Sequence, residues 1–295
     1  MIKNHHLHCL RQATITIGLQ SECTGVVEVK MDEARKPVLE KLSELLTSSW
    51  SDAKNPAQIA REIIPLNLEE AYFVQDRMHQ LLDANTSGWK VGATSLKMRE
   101  IDGHEDIIPG RIFRSRTYIG TYQSLDINLF PDARAEAEFG FRLLEKPEVR
   151  RQPWTATEIS SIMVFHPAVE IIGNRFRTEG LSKQETSLLT VADNGGGIGF
   201  VFGDPIENWS DINFKYHKIS LIVNDRAAAD NFLGDMRCFP AQAAADLINH
   251  LSERGISLSE GDFISTGAAT MPQSFGSGDV IKANFGKLGF IELGF

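Results

Sequence analysis

The sequence predicts an α+β protein, with helical elements over residues 31–87 followed by a strand-rich section over 88–295 and a variable tail over 1–30. Three observations carry this. Apolar residues recur at helical spacing in two early segments, 36–49 and 68–84. Residues 133–143 then alternate strictly between the two faces of an extended chain. Further on, strand candidates outnumber helix candidates without a regular strand–helix alternation, which argues against a doubly wound parallel sheet.

In residues 36–49, KPVLEKLSELLTSS, Val38, Leu39, Leu42, Leu45 and Leu46 fall on one helical face. In residues 68–84, Tyr72, Gln75, Met78, Leu81 and Leu82 do the same. A strand-like stretch starts at Gly88-Trp89-Lys90-Val91-Gly92. In ARAEAEFGFRL, Ala133, Ala135, Ala137, Phe139, Phe141 and Leu143 share one face, and Arg134, Glu136, Glu138 and Arg142 share the other. The apolar run MVFHPAVEII over 163–172 is a further strand, with others at 198–203, 217–224, 262–267, 279–285 and 288–294. Helices are expected at 155–161 and 240–253, the second with Pro240 at its start and Gly255 just past its end.

The formal net charge is −9 and no dense Lys/Arg cluster tracks a phosphate backbone, so no nucleic-acid partner is expected. An anionic substrate meets an unfavourable overall field and needs a local cation. No run of apolar residues is long enough for a membrane helix, so no membrane partner is expected. The three cysteines, Cys9, Cys23 and Cys238, form no Cys-x-x-Cys pair, which points to a reducing, cytoplasmic setting.

Glu136 and Glu138 share a strand face at roughly 7 Å spacing. Like charges that close repel unless a cation joins them. A hard divalent ion, an arginine on the same face (Arg134 or Arg142), or plain solvation would each serve. Glu170 stands alone inside the apolar run Pro167-Ala168-Val169-Glu170-Ile171-Ile172, where a carboxylate must be paired, protonated or coordinated. The alternatives are a buried salt bridge to Arg175 or Arg177 and a place in a three-carboxylate metal site. Mg²⁺ or Mn²⁺ suits such a site better than Zn²⁺, because no His or Cys stands at ligand spacing.

The order Gly88-Trp89-Lys90-Val91-Gly92-Ala93-Thr94-Ser95, Glu136-x-Glu138, Glu170-Ile171, Ala192-Asp193-Asn194, Ser265-Thr266-Gly267, Gly278-Asp279 and Phe285-Gly286-Lys287-Leu288-Gly289 resembles the hydratase/decarboxylase branch of the fumarylacetoacetate hydrolase superfamily over roughly residues 36–295. The resemblance implies a mixed β-sandwich or β-roll behind helical N-terminal elements. It implies Mg²⁺ or Mn²⁺ held by Glu136, Glu138 and Glu170, a catalytic role for Lys90, and a small-molecule 2-oxo acid substrate contacted by Asp193, Asn194, Thr266 and Gly267. It also implies a homo-oligomer or a hetero-complex with a related family member.

The lead expectation is a lyase that hydrates a 2-hydroxypenta-2,4-dienoate in the catabolism of aromatic compounds. The alternatives are a 4-oxalocrotonate-type decarboxylase, an acylpyruvate C–C hydrolase, and a non-catalytic partner subunit of a hydratase/decarboxylase complex. Two departures bear on the choice. The hydratases usually carry Asp in a Pro-Asp-x-Gly stretch, where this chain reads Ile107-Ile108-Pro109-Gly110, and a Ser after Asp-Asn, where this chain reads Gly195-Gly196-Gly197. Asp106 or His104-Glu105 are the candidates to replace the missing acid. The glycine run lacks the strand–loop–helix context of a dinucleotide loop and is read as a tight turn or as backbone that approaches a ligand.

Overall fold

The computed structural model describes residues 31–52 and 56–295; the variable tail expected over 1–30 lies outside them. Helix α1 (Lys36–Ser51) takes a proline in its first turn, where a missing N–H costs little. It buries Leu39, Leu42 and Leu46 completely. Helix α2 (Leu68–Leu82) begins at Asn67, whose side chain accepts the backbone N–H of Glu70. Its buried stripe runs through Ala71, Val74, Gln75 and Met78 toward half-buried Leu82. Leu81, expected on that face, is exposed, because it stands one residue, about 100° of helix rotation, off the stripe. α1 packs on α2.

The strands begin with β1 (Thr86–Gly92), followed by a short helix α3 (Leu96–Asp102), β2 (Ile108–Phe113), β3 (Thr117–Ile119) and β4 (Tyr122–Ser124). The long strand β5 (Arg134–Leu143) leads through α4 (Ala156–Ser160) to an equally long β6 (Met163–Ile172). Next come α5 (Lys183–Ala192), β7 (Gly197–Phe202), β8 (Ser220–Val223) and α6 (Pro240–Glu253). Strands β9 (Phe263–Ala268), β10 (Gln273–Ser274), β11 (Val280–Asn284) and β12 (Phe290–Gly294) end the chain. Helices α3 and α5 were not expected. α5 is announced by a capping box in which the Ser182 side chain accepts the Glu185 N–H and the Glu185 side chain accepts the Ser182 N–H.

The expected α+β class holds. One eight-stranded mixed sheet has the order β2-β1-β9-β5-β6-β7-β3, with β10 paired to β5, and a four-stranded sheet has the order β4-β12-β11-β8. The large sheet curls on itself. β2 meets β7 although four strands separate them. Phe202 of β7 stacks on Phe263 of β9 with ring centroids 4.2 Å apart, across two intervening strands. Gly140 of β5 lies beneath that stack, and a Cβ there would stand 2.9 Å from the Phe202 ring, so only glycine lets the curl close. The inner face thus carries Ile112, Ala168, Phe200, Phe202 and Phe263 as a small core of its own.

The outer face of β5 follows the predicted alternation. Ala135, Ala137, Phe139, Phe141 and Leu143 are buried in the main core. Phe139 packs edge-on against Phe214 and Phe285, and Phe141 packs at a tilt against Trp209. With both faces of β5 covered, Glu136 and Glu138 point into the curl instead of into solvent.

Candidate metal centre

The antiparallel pairing of β5 and β6 sets Glu170 directly opposite Glu136, with Ala168 opposite Glu138. Cross-strand partners share a face, so the two strands bring three carboxylates together. One oxygen from each of Glu136, Glu138 and Glu170 lies within 4.8 Å of the other two. Glu138 and Glu170 are each 1% exposed and Glu136 is 8% exposed, which removes the solvated-face reading of the pair. Burial pushes the Glu136 carboxyl up to about 8, and the neighbouring Glu170 charge adds to it, while Lys90 and Arg134 pull it back. Burial also raises Glu138 well above the usual carboxylate range, with Glu170 and Glu136 adding repulsion.

A β-bulge completes the cluster. Glu138 stands opposite Ala268 and Gly140 opposite Ser265, so β9 carries one extra residue here, and Gly267 adopts φ +96°. The bulge lets the Ser265 hydroxyl and the Gly267 N–H both donate to Glu138 Oε2. Glu138 Oε1 and Glu170 Oε1 have no hydrogen-bond partner. Oxygens bound to one hard cation at about 2.0–2.6 Å lie no more than about 5 Å apart. The three glutamates meet that condition, and two of them offer buried oxygens that take no hydrogen bond. This donor set fits a divalent ion that prefers oxygen ligands, and it is the one such group among the described residues.

Lys90 comes from β1, the neighbour of β9. Its Nζ stands 3.6 Å from Glu170 Oε1 and donates to the Gly195 carbonyl. The cation beside Glu170 is therefore Lys90, and neither Arg175 nor Arg177 fills that place. Arg175 instead gives its backbone N–H to Asp193 Oδ2, at 2.6 Å.

The glycine run is the tight turn that holds the lysine. Asn194, Gly195 and Gly196 take φ values of 55°, 70° and 77° in succession. A Cβ at Gly195 would stand 2.5 Å from Lys90 Cε, so the lysine packs against bare backbone. Gly195→Ala is accordingly expected to displace Lys90. Turnover should fall at least about tenfold and stability by about 1–3 kcal/mol, with metal affinity retained, as read by steady-state kinetics, thermal melts and metal titration.

These side chains line a cavity of about 900 Å³. Lys90, Glu136, Glu138, Glu170 and Gly267 form its charged end. Asp193, Asn194 and Thr266, expected to touch substrate, are not on its wall. Asp193 is fully buried and accepts from Trp50 Nε1 and from Arg175 N. The Asn194 side chain accepts the Arg111 N–H and donates to the Arg111 carbonyl, tying the glycine turn to β2. Thr266 Oγ1 donates to the Phe139 carbonyl. All three spend their polar atoms on backbone or on Trp50, because a turn of three left-handed residues and a strand bulge both leave main-chain groups to satisfy.

The candidates for the missing acid also separate. Ile108 lines the cavity. Asp106 turns to Arg99 at 3.7 Å and His250 at 3.9 Å, and Glu105 is exposed. His104 does reach the cavity, where its Nδ1 lies 2.6 Å from Ser187 Oγ. Burial pushes this imidazole toward its neutral form. The roles of Ser265, the Gly195 carbonyl and Trp50 were not visible in the sequence.

No family model matches the chain. Similar proteins do. A 4-oxalocrotonate decarboxylase from Pseudomonas putida is 25% identical over 263 residues, covering 86% of this chain and 95% of that protein. A second protein of the same name, from Pseudomonas sp. (strain CF600), is 26% identical over 254 residues, covering 83% and 91%. These relatives support the resemblance to the hydratase/decarboxylase branch of the fumarylacetoacetate hydrolase superfamily. The fold is shared with a solved structure, the 4-oxalocrotonate decarboxylase of Pseudomonas putida G7 complexed with magnesium and adipate. It superposes with a TM-score of 0.76 at 21% identity over 90% of this chain and 100% of that one. Cg1458 in complex with an inhibitor superposes less closely, with a TM-score of 0.51 at 14% identity over 72% of this chain and 78% of that one.

Proposed function

We propose that the protein is a carboxy-lyase that uses a divalent cation, Mg²⁺ or Mn²⁺, to remove CO₂ from a 2-oxo diacid of the 4-oxalocrotonate class. The observation that carries this is the cluster of Glu136, Glu138 and Glu170 beside Lys90 at one end of a large cavity. Glu136, Glu138 and Glu170 would hold the ion. Bound there, it supplies Lewis-acid charge that draws electrons toward the 2-oxo group of a chelating substrate.

The chain's own residues do the rest. In a vinylogous β-keto acid the bond to the distal carboxylate breaks, and its electron pair moves through the C=C bond to the 2-oxo oxygen. Lys90 has three N–H donors. One goes to Gly195 and one faces Glu170, leaving one for the cavity, where it stabilises that oxygen as charge builds and supplies its proton. Met98, Ile101, Phe232, Met236 and Met271 add apolar surface to the cavity lining, which suits a departing carboxylate that becomes neutral CO₂.

The absence of an acid at Ile108 favours decarboxylation over water addition, because Asp106 and Glu105 point elsewhere. The names of the two relatives agree. One observation favours a second reading. The neutral His104, held by Ser187 on the cavity wall, has the chemistry to orient a water, as hydration of a 2-hydroxy-2,4-dienoate requires.

The test is incubation of the purified protein with Mg²⁺ or Mn²⁺ and an oxalocrotonate, a 2-hydroxy-2,4-dienoate or an acylpyruvate, with products identified by mass. Loss of CO₂ from the first is the expected result. Water gain by the second alone moves the assignment to hydratase, and fragmentation of the third alone moves it to a C–C hydrolase. No turnover of any of the three leaves the non-catalytic partner subunit.

A further inference from the structure

The two oxygens of Glu138 are not equivalent. Oε2 accepts from the Ser265 hydroxyl and, at 3.1 Å, from the Gly267 N–H, while Oε1 is buried and takes no hydrogen bond. A carboxylate oxygen has two lone-pair sites, so Oε2 is saturated. Both donors are held in place. Ser265 is fully buried on β9, with Lys90 of β1 opposite it on one side and Gly140 of β5 on the other. Gly267 sits in the bulge at φ +96°, where a Cβ would stand 2.9 Å from Thr94 Oγ1. That Thr94 hydroxyl in turn donates to the Thr266 carbonyl. β9 cannot shift to release Oε2 without breaking its pairing on both sides.

This asymmetry bears on which ion the three glutamates accept. Ca²⁺ takes roughly six to eight oxygens at about 2.3–2.6 Å and uses carboxylates through one oxygen or both. Mg²⁺ demands near-ideal octahedral geometry at about 2.0–2.1 Å, so a second oxygen from one carboxylate does not suit it. We propose that Ser265 is a metal-selectivity residue: with the Gly267 N–H, its hydroxyl leaves Glu138 only Oε1 for an ion and so favours Mg²⁺ over Ca²⁺. Ser265 is a positioning residue, since it acts through Glu138. The inference rests on the metal-centre reading above and adds the group that tunes it.

The test is binding, apart from turnover. Mg²⁺ and Ca²⁺ are titrated calorimetrically, each alone, into the metal-free full-length protein, and the ratio of the two affinities is read. Ser265→Ala frees a lone pair on Oε2 and loosens the carboxylate. Mg²⁺ affinity should fall about tenfold, the lower end of the cost of losing a ligand's outer hydrogen bond, while Ca²⁺ affinity holds or rises. The Mg²⁺:Ca²⁺ ratio then falls by about tenfold or more. Ser265→Cys keeps a weak donor and should lie between. Thr266→Val is the control for a structural effect. It removes a buried hydroxyl that donates to the Phe139 carbonyl from the same strand, so it should lower the melting temperature and leave the ratio unchanged. An unchanged ratio in Ser265→Ala, even with both ions weakened, overturns Ser265 as the selector, and so does an equal drop in Thr266→Val. A wild type that binds neither ion overturns the metal centre itself and with it the functional reading.

Discussion

Glu138→Gln is expected to make the metal-free protein more stable while abolishing its metal-dependent activity. Glu138 is 1% exposed and stands between Glu136 and Glu170, whose charges together with burial hold its carboxyl well above the usual range. A glutamine can still accept from the Ser265 hydroxyl and the Gly267 N–H. Its amide then presents N–H donors to the neighbouring glutamates at any pH, as the carboxyl does only while protonated. Removing the cost of ionising a carboxyl there should stabilise the metal-free protein toward alkaline pH by about 1 kcal/mol, or ~2–4 °C in Tm for a chain of this size. Losing one of three anionic ligands should weaken Mg²⁺ binding at least about 100-fold, more than an outer-shell change does. Turnover should fall at least about 10³-fold, since the ion carries several kcal/mol of the barrier reduction.

The pH dependence of that stability follows from the same burial. A carboxyl raised in the folded state favours the fold while it stays protonated. That stability is fully present below its ordinary value and is lost as pH rises through the folded value. For Glu136 the window runs from the ordinary carboxylate range up to about 8. The metal-free wild type should therefore lose stability across that window. Mg²⁺ should restore it most at the upper end, where the ligands are ionised. In Glu138→Gln both the decline and the Mg²⁺ response should flatten. Thermal melts with and without Mg²⁺ from about pH 5 to 8.5 read both effects. A variant that Mg²⁺ stabilises as much as it does the wild type would sink Glu138 as a ligand.

What the sequence disclosed follows the range of the interactions involved. The alternation of 134–143 is local, and it placed Glu136 and Glu138 on one face before any partner was known. Glu170 was conspicuous because a carboxylate stands out in an apolar run. That Glu170 faces Glu136 is a matter of register between two strands 34 residues apart, set by how their apolar faces bury. No local pattern shows it. The lysine beside Glu170 comes from β1, which reaches the centre only because the sheet curls, so arginines close in sequence were the wrong place to look. Asp193 and Asn194 stand at one remove from the cavity. Their pattern marks the site, but their side chains build the turn that holds Lys90 instead of touching the cavity. The helix α3 escaped because a seven-residue segment with no buried residue has no apolar stripe to read.

Lys90→Met is the change expected to separate the chemistry from the metal. The lysine is 5% exposed, and its amine is fixed at both ends of its reach, by the Gly195 carbonyl and by Glu170. Methionine fills much of the same space without the charge or the donors. Mg²⁺ affinity should be unchanged or tighter, because a cation 3.6 Å from a ligand oxygen has gone. Turnover should fall by about 10²–10⁴, the usual contribution of a positioned proton donor. The Gly195 carbonyl loses its partner, at a cost of about 1–3 kcal/mol in stability, so melts and metal titration must accompany the kinetics. Lys90→Arg distinguishes charge from fit. It keeps the cation, but Gly195 and Gly110 pack against the lysine stem so closely that a Cβ at either would stand within 3.2 Å of Cε. A guanidinium has no room there, and the arginine variant should be nearly as inactive as the methionine one. Activity retained by Lys90→Met would show that the ion alone serves as the electron sink and would reduce Lys90 to a counter-charge for Glu170. Activity retained by Lys90→Arg alone would show that positive charge near the 2-oxo oxygen is what matters, and that its donor geometry is not.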